Sequence, residues 1–210
     1  MSGEPNSWLA IPLSEYESYM SDALQLAALS QLFGEALERC RPKSVAVLGV
    51  AGGNGLERID PLVTTRVVAL DVNLSYLRAA RNRHGHLPGL ELHQVDLSSD
   101  TIALPPVEMV HAALIFEHAG VDRCLQNALA LVSPGGHLSV VLQTCFRGQD
   151  RGRGAARAEI GGWPVEFRLI DVERFRAGVE ERGLTLTHEG KYPVLDGEFW
   201  AAIFESNACR

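Results

Sequence analysis

Two acidic residues stand where a strand would end. Asp71 follows the apolar run Val67-Val68-Ala69-Leu70, and Asp96 follows the run LELHQV at 90–95. Short apolar runs of this kind read as buried strands, so each carboxylate sits at a strand tip. A carboxylate at the tip of the second strand of a parallel sheet is placed to accept both hydroxyls of a ribose. An earlier run, Val45-Ala46-Val47-Leu48, ends in the small residues Gly49, Ala51, Gly52, Gly53 and Gly55. A tight turn of small residues bares backbone N–H groups and lets a ligand lie close to the main chain. The glycine turn and Asp71 together imply a nucleoside-containing cofactor in a doubly wound sheet. The plainer reading of either acid is a cap on the segment that follows it. Beyond a fourth run come Glu117 and His118, an acid and an imidazole side by side. An imidazole titrating near neutrality can act as a general base. Glu117 can bind a cationic ligand or simply cap the next helix, the commoner use.

These residues need elements to hold them. Residues 14–40 carry Met20, Leu24, Ala27, Ala28, Leu32 and Leu37 at helical spacing, and Ser14 with Glu17 resembles a capping box. Strands are expected at Ser44–Leu48, 66–70, 90–95, 107–115 and 137–143. Between them fall a short helix start at 56–59, a helix at 74–83 capped by Asn73 or Ser75, and a helix at 121–131. Ser133-Pro134-Gly135-Gly136 reads as a turn. The segment 144–170 holds Arg147, Arg151, Arg153 and Arg157 among glycines without periodicity, which reads as a long loop. A helix at 172–182 capped by Asp171 precedes strands at 184–191 and 199–205, joined as a hairpin through Asp196-Gly197. The whole reads as one domain over 1–210, with a helical cap at 1–43 and a core at 44–206. The fold class is α/β: a doubly wound, seven-stranded, mostly parallel sheet whose last strand is antiparallel, with helices on both faces.

The glycine turn fails two well-known patterns. Counted from Gly49, the dinucleotide fingerprint would need glycine at Ala51 and Asn54, and no Gly-Lys-Ser/Thr follows for a triphosphate loop. The stretch VAVLGVAGGNGLERI instead resembles the first motif of the class I S-adenosylmethionine-dependent methyltransferases, an acidic-x-Gly-x-Gly-x-Gly turn. In that register Gly49 stands at the acidic position, Ala51 at the first glycine, Gly53 at the second and Gly55 at the third. The resemblance implies S-adenosylmethionine as cofactor, with Asp71 and Val72 at the ribose, Asp96 and Leu97 at the adenine, and Gly49, Ala51, Gly52, Gly53, Gly55 and Ala113 along the rest. It implies a base at His118 close to the acceptor, and an N-terminal segment in which Tyr16 and Tyr19, with Met20, cover the sulfonium and shape the acceptor pocket beside Glu117. The implied reaction is methylation of an oxygen or nitrogen atom of a small molecule. Competing readings are a cofactor-binding protein without catalysis, suggested by Gly49 and Ala51, and an aminopropyltransferase, suggested by Pro42-Lys43.

Composition narrows the partners. The formal net charge of −7 opposes binding to polyanions, so nucleic acid is not expected as a partner. Thr144-Cys145 resembles the nucleophile pair of RNA cytosine-5 methyltransferases, yet strand four leads into FEHAG without the Pro-Cys that reading requires. Cys40, Cys124, Cys145 and Cys209 lack CxxC spacing and read as reduced thiols, with no metal site expected. No run approaches membrane-spanning length, and a cytoplasmic enzyme acting as a monomer or homodimer is expected.

Overall fold

A computed structural model describes residues 6–22, 24–146, 155–195 and 197–207. Seven strands form one sheet: β1 Ser44–Leu48, β2 Arg66–Asp71, β3 Leu90–Gln94, β4 Val107–Ala113, β5 Val132–Phe146, β8 Leu184–Val194 and β9 Gly197–Ser206, in the order β3-β2-β1-β4-β5-β9-β8. β1 to β5 pair in parallel, and β9 runs antiparallel to both its neighbours. The expected topology is therefore present, antiparallel last strand included.

Side-chain alternation explains why helices cover both faces. On β1, Ala46 and Leu48 face one layer while Val45 and Val47 face the other, and all four are buried. The first layer packs α5 (Asp122–Leu131) and α6 (Val172–Glu180) on the sheet through Leu125, Ala128, Leu131, Phe175 and Val179. Phe116 of the short α4 (Phe116–Ala119) joins them and packs with its ring tilted at 4.8 Å from that of Phe175. The second layer packs α2 (Gln25–Cys40) and α3 (Leu74–His84) through Phe33, Ala36, Leu37 and Leu77. Asn73 caps α3 by accepting the Ser75 N–H at 2.9 Å, and Asp171 caps α6 by accepting that of Arg174 at 3.1 Å.

Three expectations fail here. The helix over 14–40 is two helices, α1 (Leu13–Asp22) and α2, because Leu24 turns left-handed at φ 56° and lies 62% exposed rather than on the apolar face. No capping box forms: α1 begins at Leu13, and the Glu17 carboxylate goes instead to the Arg83 guanidinium on α3. Most consequential, the loop expected over 144–170 contains an antiparallel hairpin, β6 (Ala155–Ile160) with β7 (Trp163–Arg168). Gly161 and Gly162 both adopt positive φ, 56° and 85°, as a two-residue hairpin turn demands. Val165 and Phe167 are buried between exposed Pro164, Glu166 and Arg168, a period of two that hides in so short a segment. Arg157 lies in β6, whereas Arg147, Arg151, Arg153 and Cys209 lie outside the described residues. The Ser133-Pro134-Gly135-Gly136 turn survives as an irregularity inside β5, with Gly135 at φ 71° and a register shift against β4 between Val107 and Met109.

Inside the second layer, His111 on β4 lies opposite Ser139 on β5, its Nδ1 3.0 Å from the Ser139 hydroxyl, and it stacks on Phe33 at 4.5 Å. Burial disfavours the imidazolium and pushes its pKa down from 6.5 to about 3. A pKa below the unfolded value means that the unfolded chain takes up a proton the folded one refuses, so this contribution to stability is present above 6.5 and is lost as pH falls toward 3. A His111→Gln chain should therefore lose about one proton of slope, about 1.4 kcal/mol per pH unit, from its stability curve between roughly pH 4 and 6. Urea unfolding at several pH values measures this; parallel curves for the two chains would remove His111 as the source.

Candidate active site

The tips of β1 to β4 open into a cleft of about 1140 Å³, counting the part open to solvent. One wall is the glycine turn. The N–H groups of Gly49 and Val50 bond to the Leu70 carbonyl at 2.9 and 3.0 Å, which bends the chain away from β1 against β2. Asp71 then fastens the turn. Its Oδ2 accepts the Ala51 N–H at 2.9 Å, and its Oδ1 accepts the Asn73 N–H at 2.8 Å. Burial pushes the Asp71 carboxyl upward in pKa, opposed by the N–H groups of Asn73, Ala51 and Val72. The carboxylate keeps spare acceptor capacity and faces the cleft.

The small residues divide into two sets. Gly49, Ala51, Val72, Leu97 and Ala113 line the cleft, together with Asp71 and Asp96. Gly52, Gly53 and Gly55 do not: a side chain at each would meet Glu17 and Arg83, His84, or Phe33 at 2.6 to 2.9 Å. Their smallness lets α1, α2 and α3 close on the turn. The departures also acquire reasons. Ala51 sits at φ 48°, a left-handed position where glycine is ordinarily preferred and Ala is strained by roughly 1 kcal/mol. At Gly49 a Cβ would lie 2.8 Å from Ile115, so the acidic position is filled by an apolar side chain instead.

Asp96 lies at the third strand tip and performs the capping that was its plain alternative, accepting the Ser98 N–H at 2.9 Å through Oδ1. Oδ2 accepts from the Asn6 amide at 3.3 Å. Burial raises its pKa, but the Ser98 hydroxyl and N–H and the Asn6 amide outweigh that and hold it below the ordinary range. Capping and facing the cleft are compatible, since both happen at one strand end.

Above the strand tips runs a strap that begins ahead of α1, further upstream than the covering segment expected from the sequence. Residues Ser7–Leu9 form a single 3-10 turn, and the Trp8 carbonyl accepts from the Asn73 amide at 2.9 Å. The Ile11 carbonyl accepts the Tyr76 hydroxyl at 3.0 Å. Trp8 meets Tyr16 edge-on at 5.8 Å, and Tyr16 stacks on Tyr76 at 6.1 Å. The hairpin closes the far side: Ile160 and Val165 pack on Ile11 beside Trp8, Tyr16 and Tyr19. Tyr16, Tyr19 and Met20 therefore do line the cleft, with α1 lying across it. Burial, with Asp71 and Glu17 nearby, pushes the Tyr16 hydroxyl upward in pKa.

Glu117 and His118 occupy α4 at the end of the cleft beside β5. Glu117 is no helix cap, because its Oε1 accepts the backbone N–H of Gln143 at 2.7 Å. Its Oε2 is buried and has no hydrogen-bond partner. Burial raises the Glu117 pKa to about 7, against the Gln143 N–H, which lowers it. His118 departs from the near-neutral base expected of it. Its ring lies edge-on to Trp8 at 4.7 Å and near Phe167, and burial lowers its pKa to about 4. It is a neutral hydrogen-bonding group at physiological pH, with Nδ1 buried and unpartnered. A further polar residue, unforeseen in the sequence, is Gln25: 4% exposed, it lines the cleft at the first turn of α2, whose N-terminus has no side-chain cap. That helix end lies over the glycine turn, fixed by the Asn54 amide on the Leu26 carbonyl at 3.0 Å. Free helix N–H groups there suit an anionic group such as a carboxylate.

No protein-family profile matches the sequence, and no curated protein matches it. Solved structures do. The N-methyltransferase NodS from Bradyrhizobium japonicum WM9, in complex with S-adenosyl-L-homocysteine, is similar over 87% of each chain at 16% identity and a TM-score of 0.65. DhpI, in a complex with SAM and HEP, is similar over 91% of each chain at 21% identity and a TM-score of 0.68. An S-adenosylmethionine-dependent methyltransferase from Clostridium acetobutylicum ATCC 824 is similar over 92% of this chain and 98% of its own, at 11% identity and a TM-score of 0.69. At such identities the shared property is the fold. This chain has the Rossmann-like fold of the class I methyltransferases.

The strap is pinned near the glycine turn by the Glu17–Arg83 pair, whose partners are 28% and 47% exposed. Partly exposed pairs are worth about 0.2–1 kcal/mol, so Arg83→Gln should speed chymotryptic cleavage at Trp8, Tyr16 or Tyr19 by about one-and-a-half to fivefold. Circular dichroism should be unchanged. Equal cleavage rates would mean that the apolar contacts alone hold the strap.

Proposed function

We propose that this chain is an S-adenosylmethionine-dependent methyltransferase acting on an oxygen or nitrogen atom of a small molecule. The observation that carries the proposal is the Asp71 carboxylate, which ties the glycine turn to the second strand tip and still faces the cleft. The fold, shared with methyltransferases crystallised with S-adenosylhomocysteine or SAM, supports it.

The residues present fit the cofactor. Asp71 takes the ribose hydroxyls with Val72 beside it, and Asp96 and Leu97 take the adenine under the strap. Gly49 and Ala51 pass beneath the sulfonium end near Ala113. The carboxylate of the cofactor's amino-acid end goes to the N-terminus of α2 and the Gln25 amide, close to the glycine turn that lacks the family's acidic residue. Bound there, the cofactor supplies a methyl carbon already activated for displacement. The chain's own work is to hold both partners in line and to keep water out with Trp8, Tyr16, Tyr19 and the β6–β7 hairpin. The absence of any helix long and apolar enough to cross a membrane, among the described residues, agrees with an acceptor taken from solution.

Calorimetric titration tests the proposal. S-adenosylhomocysteine should bind, and NAD and ATP should not compete. Asp71→Ala should weaken binding by about 2–3 kcal/mol, about 30–150-fold, because a charged acceptor of two hydroxyl hydrogen bonds is gone. Unchanged affinity in a folded Asp71→Ala chain would remove the residue from the site. At Asp96, Asn retains a carbonyl acceptor, so Asp96→Asn should weaken binding less than Asp96→Ala; a fall in thermal stability alone, with affinity intact, would leave Asp96 as a cap only. Release of S-adenosylhomocysteine on addition of acceptor separates a catalyst from a protein that merely binds.

A further inference from the structure

The cleft has a polar end with a chemical bias. Two buried side-chain atoms there lack partners, Glu117 Oε2 and His118 Nδ1. His118 Nδ1 accepts hydrogen bonds in the neutral state its burial enforces, and Glu117 Oε2 accepts them whenever that carboxyl is ionised. The backbone of Glu166 on β7 engages the His118 ring and favours a proton on it. Since Nδ1 has no partner, that bond belongs to Nε2, which donates, and neutral Nδ1 is left with its lone pair. Glu117 is gripped at Oε1 by the Gln143 N–H on β5, so Oε2 is the free oxygen. Buried acceptors without donors are unfavourable by about 1–3 kcal/mol each, and a ligand that brings donors recovers that.

Charge points the same way. Among the described residues lining the cleft, Asp71, Asp96 and Glu117 are acidic and none is lysine or arginine. The one arrangement suited to an anion, the α2 N-terminus with Gln25, lies against the glycine turn. Beside His118 at the Glu117 end stand Trp8 and Phe167, with ring centroids 4.7 and 6.2 Å from the imidazole, and the faces of aromatic rings attract a cation rather than an anion.

We propose that the acceptor is a small amine, whose N–H groups are received by Glu117 Oε2 and His118 Nδ1 at the closed end of this cleft. The proposal rests on the methyltransferase reading and specifies its substrate class. An amine arriving as an ammonium ion gives one proton to Oε2: the N–H bond breaks, its electron pair stays on nitrogen as the lone pair needed for alkylation, and Glu117 becomes a neutral carboxylic acid. That acid later returns the proton to water. A carboxyl titrating at about 7 takes that proton from an ammonium more readily than an ordinary carboxylate would, and the adjoining groups do not interfere, since His118 is neutral there and the Cys124 thiol is pushed up to about 12.

Calorimetry on the whole chain saturated with S-adenosylhomocysteine tests this, using amines matched to carboxylates of similar skeleton: ethanolamine with glycolate, butylamine with butyrate, phenethylamine with 3-phenylpropionate. At least one amine should bind, about tenfold or more tighter than its carboxylate. Glu117→Gln keeps an oxygen for the Gln143 N–H while removing the charge. It should reduce amine affinity about tenfold or more and leave S-adenosylhomocysteine affinity within about twofold. If that variant does not fold, the amine-over-carboxylate preference of the unaltered chain decides alone. Carboxylates binding as well as amines, no amine binding at all, or full amine affinity in folded Glu117→Gln would each overturn the assignment. Failure of S-adenosylhomocysteine itself to bind would show at the saturation step and would count against the cofactor reading instead.

Discussion

Everything at the mouth of the sheet depends on where the Asp71 carboxylate points. With its residue only 7% exposed, it spans two chain segments, holding Ala51 of the glycine turn and Asn73 of the α3 cap at once. Those two bonds fix the direction in which the turn leaves β1 and the angle at which α3 departs from β2. From α3 the arrangement propagates outward: Asn73 holds the Trp8 carbonyl, Tyr76 holds that of Ile11, and Arg83 holds Glu17. The strap thus takes its position from the same short stretch that carries the cleft-facing carboxylate of Asp71. A buried acid facing empty space would be unfavourable; partnered with two N–H groups, it is a structural joint with capacity to spare.

The sheet was legible in the sequence because its central strands β1, β2 and β4 are buried on both faces and so appear as short apolar runs ending in small or acidic residues. The strand tips, and with them Asp71, Asp96 and the glycine turn, followed directly. What escaped notice had weaker local signals. In the β6–β7 hairpin, β7 buries Val165 and Phe167 and exposes Glu166 and Arg168, which reads as loop in so short a segment unless Gly161-Gly162 is taken as the turn of a hairpin. The break at Leu24 has no glycine or proline to announce it. It shows only in the backbone, as a left-handed leucine adjoining a helix that begins over the glycine turn. Glu117 and His118 were visible as residue types, but their chemistry is set by burial and by neighbours far along the chain, Gln143 and Glu166, which no local pattern connects.

The departures at Gly49 and Ala51 look like losses when set against a motif and look different in three dimensions. Ile115 fills the space an acidic side chain at residue 49 would need, and it packs there as part of the core that supports α4. The turn trades a charge for packing at the base of the helix that bears Glu117 and His118. Ala51 retains a left-handed backbone at a modest strain and donates its N–H to Asp71, so the function of the first glycine, letting the chain bend there, is preserved.

The strap and the hairpin share one set of apolar contacts. Trp8, Tyr16 and Tyr19 touch Ile11 on one side and Ile160 and Val165 on the other, while Trp8 also abuts His118. Lifting the strap from Asp96 at one end therefore disturbs the wall of the cleft at the other. The two ends of the cleft lie behind a single apolar latch. A cleft latched in this way opens and closes as one unit rather than at either end alone.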